Sequence, residues 1–210
     1  MSKLDSSHFL QIYGYGHDGF VTKSSDEKIG GFSYILQEYF PGVELFTLVH
    51  ELKAMGEDMG RHLLGHLVSA LEVLQSNRVV HRDIKLENVM VNDNLDVKLI
   101  DFGFGEEAIS GSVKSFKGTK TYMAPEIREL VQPYNGLAAD IFATAVVVFS
   151  VTRGIFPFNK ACSSDKFWQL LVTDPEKYWH QLNCGDSSEN FRDLMMKMLH
   201  PNFTKRATLA

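Results

Sequence analysis

His81-Arg82-Asp83-Ile84-Lys85-Leu86-Glu87-Asn88 is the stretch on which the reading of this chain turns. It sets an acid, a lysine and an amide at positions 83, 85 and 88, close enough for one tight loop to present all three. Upstream, Leu63, Leu64, Leu67, Val68, Leu71 and Leu74 recur at helical spacing and predict a helix over about 58–76. Downstream, NVMV (88–91) and VKLI (97–100), joined by NDNLD, predict a small hairpin with Asn/Asp turn chemistry. Residues 101–125 are rich in Gly, Ser and Lys and read as an irregular loop, and a long loop inside a compact domain usually carries function. Helical patterns return at 138–152, about 165–173 and about 188–199. Before the helix, HFLQIYGYG (8–16) and FSYILQEYF (32–40) predict the two strands of a hairpin, and Pro41-Gly42 a turn.

Composition narrows the classes. The chain has 210 residues, 44% hydrophobic and 22% charged, with a formal charge of −5. That is ordinary globular usage, which excludes disorder, collagen and coiled coil. The mild acidity argues against nucleic acid as a partner. Cys162 and Cys184 are too few for a disulfide framework and lack metal-ligand spacing. The first 30 residues hold no apolar signal core. The most apolar run, Ile141–Val151, falls short of the roughly 20 residues a bilayer requires, and Arg153 follows. It reads as a buried core helix. The expectation is a cytoplasmic chain with no membrane partner, the nucleus being open to it as well.

Asp101-Phe102-Gly103 and Ala124-Pro125-Glu126 complete the central signal. With them, the sequence resembles the eukaryotic protein kinases: HRDIKLEN matches the catalytic loop, DFG the magnesium loop, and GTKTYMAPE the end of the activation segment. Eleven fixed identities in order would arise by chance at on the order of 10⁻¹⁴ per alignment under uniform composition. The resemblance runs from about residue 8 to residue 208. It implies an α+β, kinase-like fold, with a remnant of the β lobe over 1–40 and a helical C-terminal lobe over 41–210.

The resemblance also implies roles. Phosphoryl transfer needs positioning and charge neutralisation more than covalent help. Asp83 would accept the proton of a substrate hydroxyl, and Lys85 would neutralise charge on the transferring phosphate. Asn88 and Asp101 would hold magnesium, which prefers oxygen ligands. Lys85, two residues after Asp83, resembles the serine/threonine branch, and Thr119 stands where that branch bridges Asp83 and Lys85. The implied partners are ATP, Mg²⁺ and a protein or peptide bearing Ser or Thr. Arg82 implies pairing with a phosphate on the activation segment, with Ser115 and Ser112 as candidate acceptors. His81, Phe102 and Gly103 belong to the structural frame of the motifs. Asp140 fits the aspartate that holds the catalytic loop, and Glu126 and Arg206 fit a buried ion pair.

In FSYILQEYFPGVELF the resemblance implies the strand and hinge that receive adenine. Glu38 and Phe40 would offer backbone groups, Gln37 would be the gatekeeper and Met90 the apolar floor. Glu44 would reach the ribose or a basic substrate residue; with Glu87 it hints at a basic residue before the phosphoacceptor, although exposed glutamates are common. Gly14-Tyr-Gly16-His-Asp-Gly19-Phe-Val21 matches the family's phosphate-covering loop, but the spacing rejects it. Glu38 follows Gly19 by only 19 positions. A helix of roughly 11 residues and strands of roughly 5 each do not fit there. Its glycines are read as serving a hairpin turn. His62 and His66 lie four apart, yet Leu63 stands where a zinc protease needs glutamate, so they read as structural histidines.

The family's glycine-rich loop, strand lysine and partner glutamate find no match. Lys23 and Lys28 lie in the hairpin connection and could in principle reach a phosphate, with nothing in the sequence to fix their geometry. The expectation is therefore an N-terminally incomplete kinase domain; the alternative is a non-catalytic, kinase-like module that binds a protein partner. Oligomeric state is left open.

Overall fold

The computed structural model describes residue 4 and residues 6–108, 111–129, 133–184 and 186–209. The class is α+β, as expected. Strands β1 (Ile12–Thr22) and β2 (Lys28–Gln37) form an antiparallel ribbon. Its strands are longer than the sequence suggests, and the turn sits at 23–27, closed by Lys23 N–H to Glu27 O at 2.9 Å. Gly14, Gly16 and Gly19 therefore lie within β1 and serve no turn, which corrects that expectation. A reason is the Tyr34 ring, laid across the strand. A Cβ at Gly16 would come within 2.8 Å of it, and one at Gly19 within 2.6 Å. The first residues of the expected strand 8–16 leave the ribbon as well. Phe9 pairs in parallel with Leu99, and the Leu99 N–H donates to the His8 carbonyl at 2.8 Å.

The helical body begins with β3 (Gly42–Glu44) and α1 (Leu45–Leu52). Helix α2 spans Gly56–Ser76 and buries Leu63, Leu67, Leu71 and Leu74. The short strand β4 (Val79–Val80) leads into the signature stretch. The predicted hairpin is β5 (Val89–Asn92) and β6 (Val97–Leu99); its sheet has the order β3-β5-β6. The expected loop 101–125 holds two short strands, β7 (Glu106–Glu107) against β4 and β8 (Ser112–Val113) against β9 (Tyr134–Asn135). Positions 109 and 110 of that loop lie outside the described residues. Four helices follow α3 (Pro125–Arg128): α4 (Gly136–Arg153), α5 (Lys166–Thr173), α6 (Pro175–Gln181) and α7 (Glu189–Met198).

Helix α4 is the centre of the core. It is buried on every side, with Phe142, Ala145, Val146, Val147, Phe149 and Val151 fully enclosed. Asn135 caps its N-terminus by accepting the Ala138 N–H, and Gly154 ends it at φ 69°. Among the described residues it is the one helix long and apolar enough to cross a membrane by length and composition. It is longer than its Ile141–Val151 run, and its apolar surface is spent on α2, α7 and the aromatic cluster of Phe158, Trp168 and Trp179. Asp165, Asp174 and Ser188 cap α5, α6 and α7 in the same side-chain-to-amide manner.

Candidate active site

The signature stretch is held from beneath by α4. The Asp140 carboxylate, 1% exposed, accepts the backbone N–H of His81 at 2.7 Å and of Arg82 at 2.8 Å. Burial pushes Asp140 up to about 7, against these bonds and Arg82, which favour the carboxylate. His81 is fully enclosed. Burial brings its imidazole down to about 4, so at neutral pH it is uncharged. Its Nε2 lies 3.0 Å from the Ile100 carbonyl and its Nδ1 3.3 Å from the Asp83 N–H, which assigns the proton to Nε2. The ring also tilts against Phe102 at 4.7 Å. The loop is thereby tied to α4 on one side and to the strand leading into Asp101 on the other.

Three groups converge on the Asp83 carboxylate. Lys85 Nζ donates to Oδ2 at 2.7 Å, Thr119 Oγ1 to Oδ1 at 2.8 Å, and Asn88 Nδ2 to Oδ2 at 3.2 Å and to the Asp83 carbonyl at 2.9 Å. Lys85 also lies 3.5 Å from Thr119 Oγ1. Desolvation pulls the Lys85 ammonium down, but the Asp83 carboxylate outweighs it and the net shift is upward. The lysine stays charged. Gly118 makes room for the Thr119 approach. It sits at φ 119°, and a Cβ there would come 2.9 Å from the Arg82 carbonyl. Asp101 lies exposed beyond β6 at φ 59°, its Oδ1 accepting the Gly103 N–H at 3.0 Å.

Arg82, also in the left-handed region at φ 67°, turns its guanidinium under the following loop. Nε donates to the Phe104 carbonyl at 2.6 Å, and Nη1 pairs with Glu106 at 2.6 Å and meets the Ser115 hydroxyl. Ser112 is exposed in β8 opposite Asn135 and makes no hydrogen bond to Arg82 among the described residues. Glu126 and Arg206 form a buried two-pronged pair at 2.7 and 2.9 Å, and Arg206 also donates to the carbonyls of Ala138 and His200.

On the ribbon side, Gln37 borders a cavity of about 270 Å³ with Phe9, Leu99, Ile100, Asp101 and Phe102. The Glu38 N–H donates to the Gln11 carbonyl at 2.8 Å, and the Phe40 carbonyl accepts from Gly42 at 2.9 Å. Lys98 holds the Glu38 carboxylate at 3.0 Å. The backbone N–H of Gln11 and Lys98 together keep that carboxyl below its ordinary range despite some burial. Met90 pairs with Glu44 across β3 and β5, and Glu44 itself is exposed. Glu87 accepts from the Tyr122 hydroxyl at 3.4 Å. Lys23 pairs with Glu27 and Lys28 lies over the Phe20 ring, both at the far end of the ribbon. Sequence reasoning missed Lys98, Glu106 and Tyr122. A lone lysine in the apolar run VKLI was the available signal for Lys98; Glu106 and Tyr122 had none.

The His62 and His66 rings meet at a tilt of 58° with centres 4.7 Å apart, and no metal-holding cluster of His, Cys, Asp and Glu occurs among the described residues.

Comparison with known proteins adds ancestry to this geometry. The family model described as the protein kinase domain matches residues 1–210. Putative sperm motility kinase W of Mus musculus is 38% identical over 126 residues, 60% of this chain and 25% of that protein. NUAK family SNF1-like kinase 1 of Homo sapiens is 30% identical over the whole chain, which spans 29% of that protein. Serine/threonine-protein kinase kin-29 of Caenorhabditis elegans is 30% identical over 92% of the chain and 23% of its own length. The chain thus spans about a quarter of the length of these relatives.

Proposed function

The chain belongs to the protein kinase family, and from that premise we propose that it is a serine/threonine kinase catalytic domain, transferring the γ-phosphate of ATP to a Ser or Thr hydroxyl of a protein. The observation that carries the reading is the Asp83 carboxylate, held at 2.7–3.2 Å by Lys85, Thr119 and Asn88. A carboxylate fixed on two sides is positioned to orient a hydroxyl and accept its proton. Lys85, kept charged, stands where negative charge gathers on the transferring group. Asn88 and Asp101 supply the hard oxygen donors that suit magnesium, and their side-chain oxygens fit that ion's preference. When bound, magnesium would neutralise phosphate charge.

At the hinge, the engaged Glu38 N–H and Phe40 carbonyl leave the Glu38 carbonyl and the Phe40 N–H to meet a base edge. One acceptor and one donor match the amino group and ring nitrogen of adenine. Gln37 borders that site and Met90 would lie under the ring. Glu44 and Glu87 would favour a basic residue upstream of the phosphoacceptor, by charge complementarity. Arg82 serves regulation, since a phosphate on Ser115 would gain charge-assisted bonds to the guanidinium; Ser112 is the second candidate.

A second reading, a non-catalytic module that binds a protein partner, is favoured by one observation: Lys23 and Lys28 are engaged at the far end of the ribbon. The two readings separate in an assay of magnesium-dependent ATP binding and labelled-phosphate transfer to a basic peptide. Transfer is expected, and Asp83→Asn is expected to lower it by about 10²–10⁴-fold without unfolding the chain. A folded chain that transfers nothing hands the first place to the binding module.

A further inference from the structure

Arg82 is the cation that the family resemblance assigns to an activation-segment phosphate, yet in this chain it already has an anion. Its side chain is 6% exposed and its Nη1 lies 2.6 Å from Glu106 Oε2. The Ser115 hydroxyl sits between the two, touching Nη1 and donating to the same Glu106 oxygen at 3.2 Å. Glu106 is placed by backbone, since β7 pairs it with Val80, two residues before Arg82. The Tyr134 hydroxyl donates to the Ser115 carbonyl at 3.1 Å, closing the loop from the other side.

We propose that Glu106 is a resident counter-ion for Arg82: it docks the segment 111–123 without modification, and a phosphate on Ser115 must evict it to reach the guanidinium. The argument is electrostatic. A nearly enclosed guanidinium leaves a large penalty if unpaired, so the carboxylate beside it is held firmly. A phosphate adds a charge of about −1.5 to −2 at neutral pH. On Ser115 Oγ it would stand against a carboxylate oxygen now 3.2 Å away. Like charges at that separation in a half-enclosed site do not share one cation without cost. Carboxylate and phosphate therefore compete for Arg82, and each substitutes for the other in ordering the segment.

The inference rests on the kinase reading only in taking this loop as the activation segment; its test needs no ATP and no turnover. The full chain is digested with trypsin, which reads the exposed Lys114, Lys117 and Lys120, and hydrogen exchange over 111–123 is followed in parallel. Circular dichroism checks that each variant is folded. Glu106→Gln keeps the shape and removes the charge, and cleavage is expected to rise about tenfold or more, as for loss of a hydrogen bond to a charged group. Ser115→Ala leaves the carboxylate on Arg82 and is expected to change cleavage by less than about threefold. Chains carrying phosphoserine at 115, made by semisynthesis, give the decisive comparison. The phosphate is expected to restore protection in Glu106→Gln and to add little to the wild type. Should Glu106→Gln fail to fold, Glu106→Asp retains the charge but shortens the reach, and the phosphate is expected to rescue it in the same way. Wild-type cleavage rates in Glu106→Gln, or equal protection by phosphate in both backgrounds, would overturn the proposal. A chain that passes here and transfers no phosphate would refute the kinase activity alone.

Discussion

The β1–β2 ribbon and helix α4 are both rich in aromatic and aliphatic residues, and they meet opposite fates. In α4, Phe142 and Phe149 are 0% exposed; in the ribbon, Tyr15 is 75% and Ile35 65% exposed. The helix is wrapped by α2, α7 and the aromatic cluster, so its apolar surface is removed from water on every side. The ribbon is a sheet of only two strands, and most of its large apolar side chains stay exposed. Apolar content alone does not make a core; the number of elements that can close over it does. The candidate site follows the same division. Asp83, Lys85, Asn88, Arg82 and Thr119 all hang on the helical body, whereas Gln37 ends the ribbon and Glu38 and Phe40 follow it. The two regions should therefore answer mutation differently.

The largest effect is expected in the body. Arg206 is fully enclosed, joined to Glu126 by two bonds and to two carbonyls by others. Glu126→Ala would leave a buried guanidinium without its anion, which costs roughly 3–5 kcal/mol. Replacing both partners with apolar residues of similar volume should cost much less. Urea unfolding midpoints of the single and double variants give the answer. A loss under about 1 kcal/mol for Glu126→Ala would show the pair to be wet and the body looser than described.

Next in size is a pH effect where α4 holds the loop 81–88. His81 is brought down to about 4 and Asp140 up to about 7, both by burial. As pH falls from about 6.5 to 4, the unfolded chain protonates its histidine and the folded chain does not, so stability drains away. Asp140 works the other way: its raised value adds stability as pH falls from about 7 towards 4. The two nearly cancel in the wild type. Asp140→Asn removes one side of the balance, and the variant is expected to lose roughly 3 kcal/mol more than the wild type on acidification across that window. Parallel pH slopes in the two proteins would mean that the pair is not sealed from water.

Much of this could be read from the chain. Helix α2, with its apolar face at helical spacing, the continuous apolar run of α4 and the β5–β6 hairpin lie where the sequence puts them, because α2 buries one face and α4 is enclosed on every side. The Asp83 cluster was legible because six residues of one tight loop, 83–88, hold the acid, the lysine and the amide. The ribbon was misjudged for the opposite reason. With most of its side chains exposed, its strands need no alternation, so His17 and Asp18 continue β1 where polar residues suggested a turn. Helix α6 escaped notice at seven residues, too short for a period to show. The Arg82–Glu106 pair was invisible because it depends on which strand β7 joins, a choice no local pattern records.

The smallest expected effect is on the ribbon, and it tests the comparison most directly. Tyr15 and Ile35 are cross-strand partners, both exposed. Tyr15→Ser and Ile35→Ser should each shift stability by about 0.5 kcal/mol, within the range of surface changes, with a coupling of about 0.2–1 kcal/mol between them. Phe142→Ala in α4 should cost about 3–5 kcal/mol. Exposed apolar faces on a two-stranded ribbon also favour self-association. The double Ser variant is thus expected to sediment as a smaller or more uniform species than the wild type at high concentration, the loop 81–88 untouched. If either Ser substitution costs more than about 2 kcal/mol, the ribbon's faces are covered in solution. The contrast with α4 would then be one of which partner does the covering, a neighbouring helix in one case and another chain in the other.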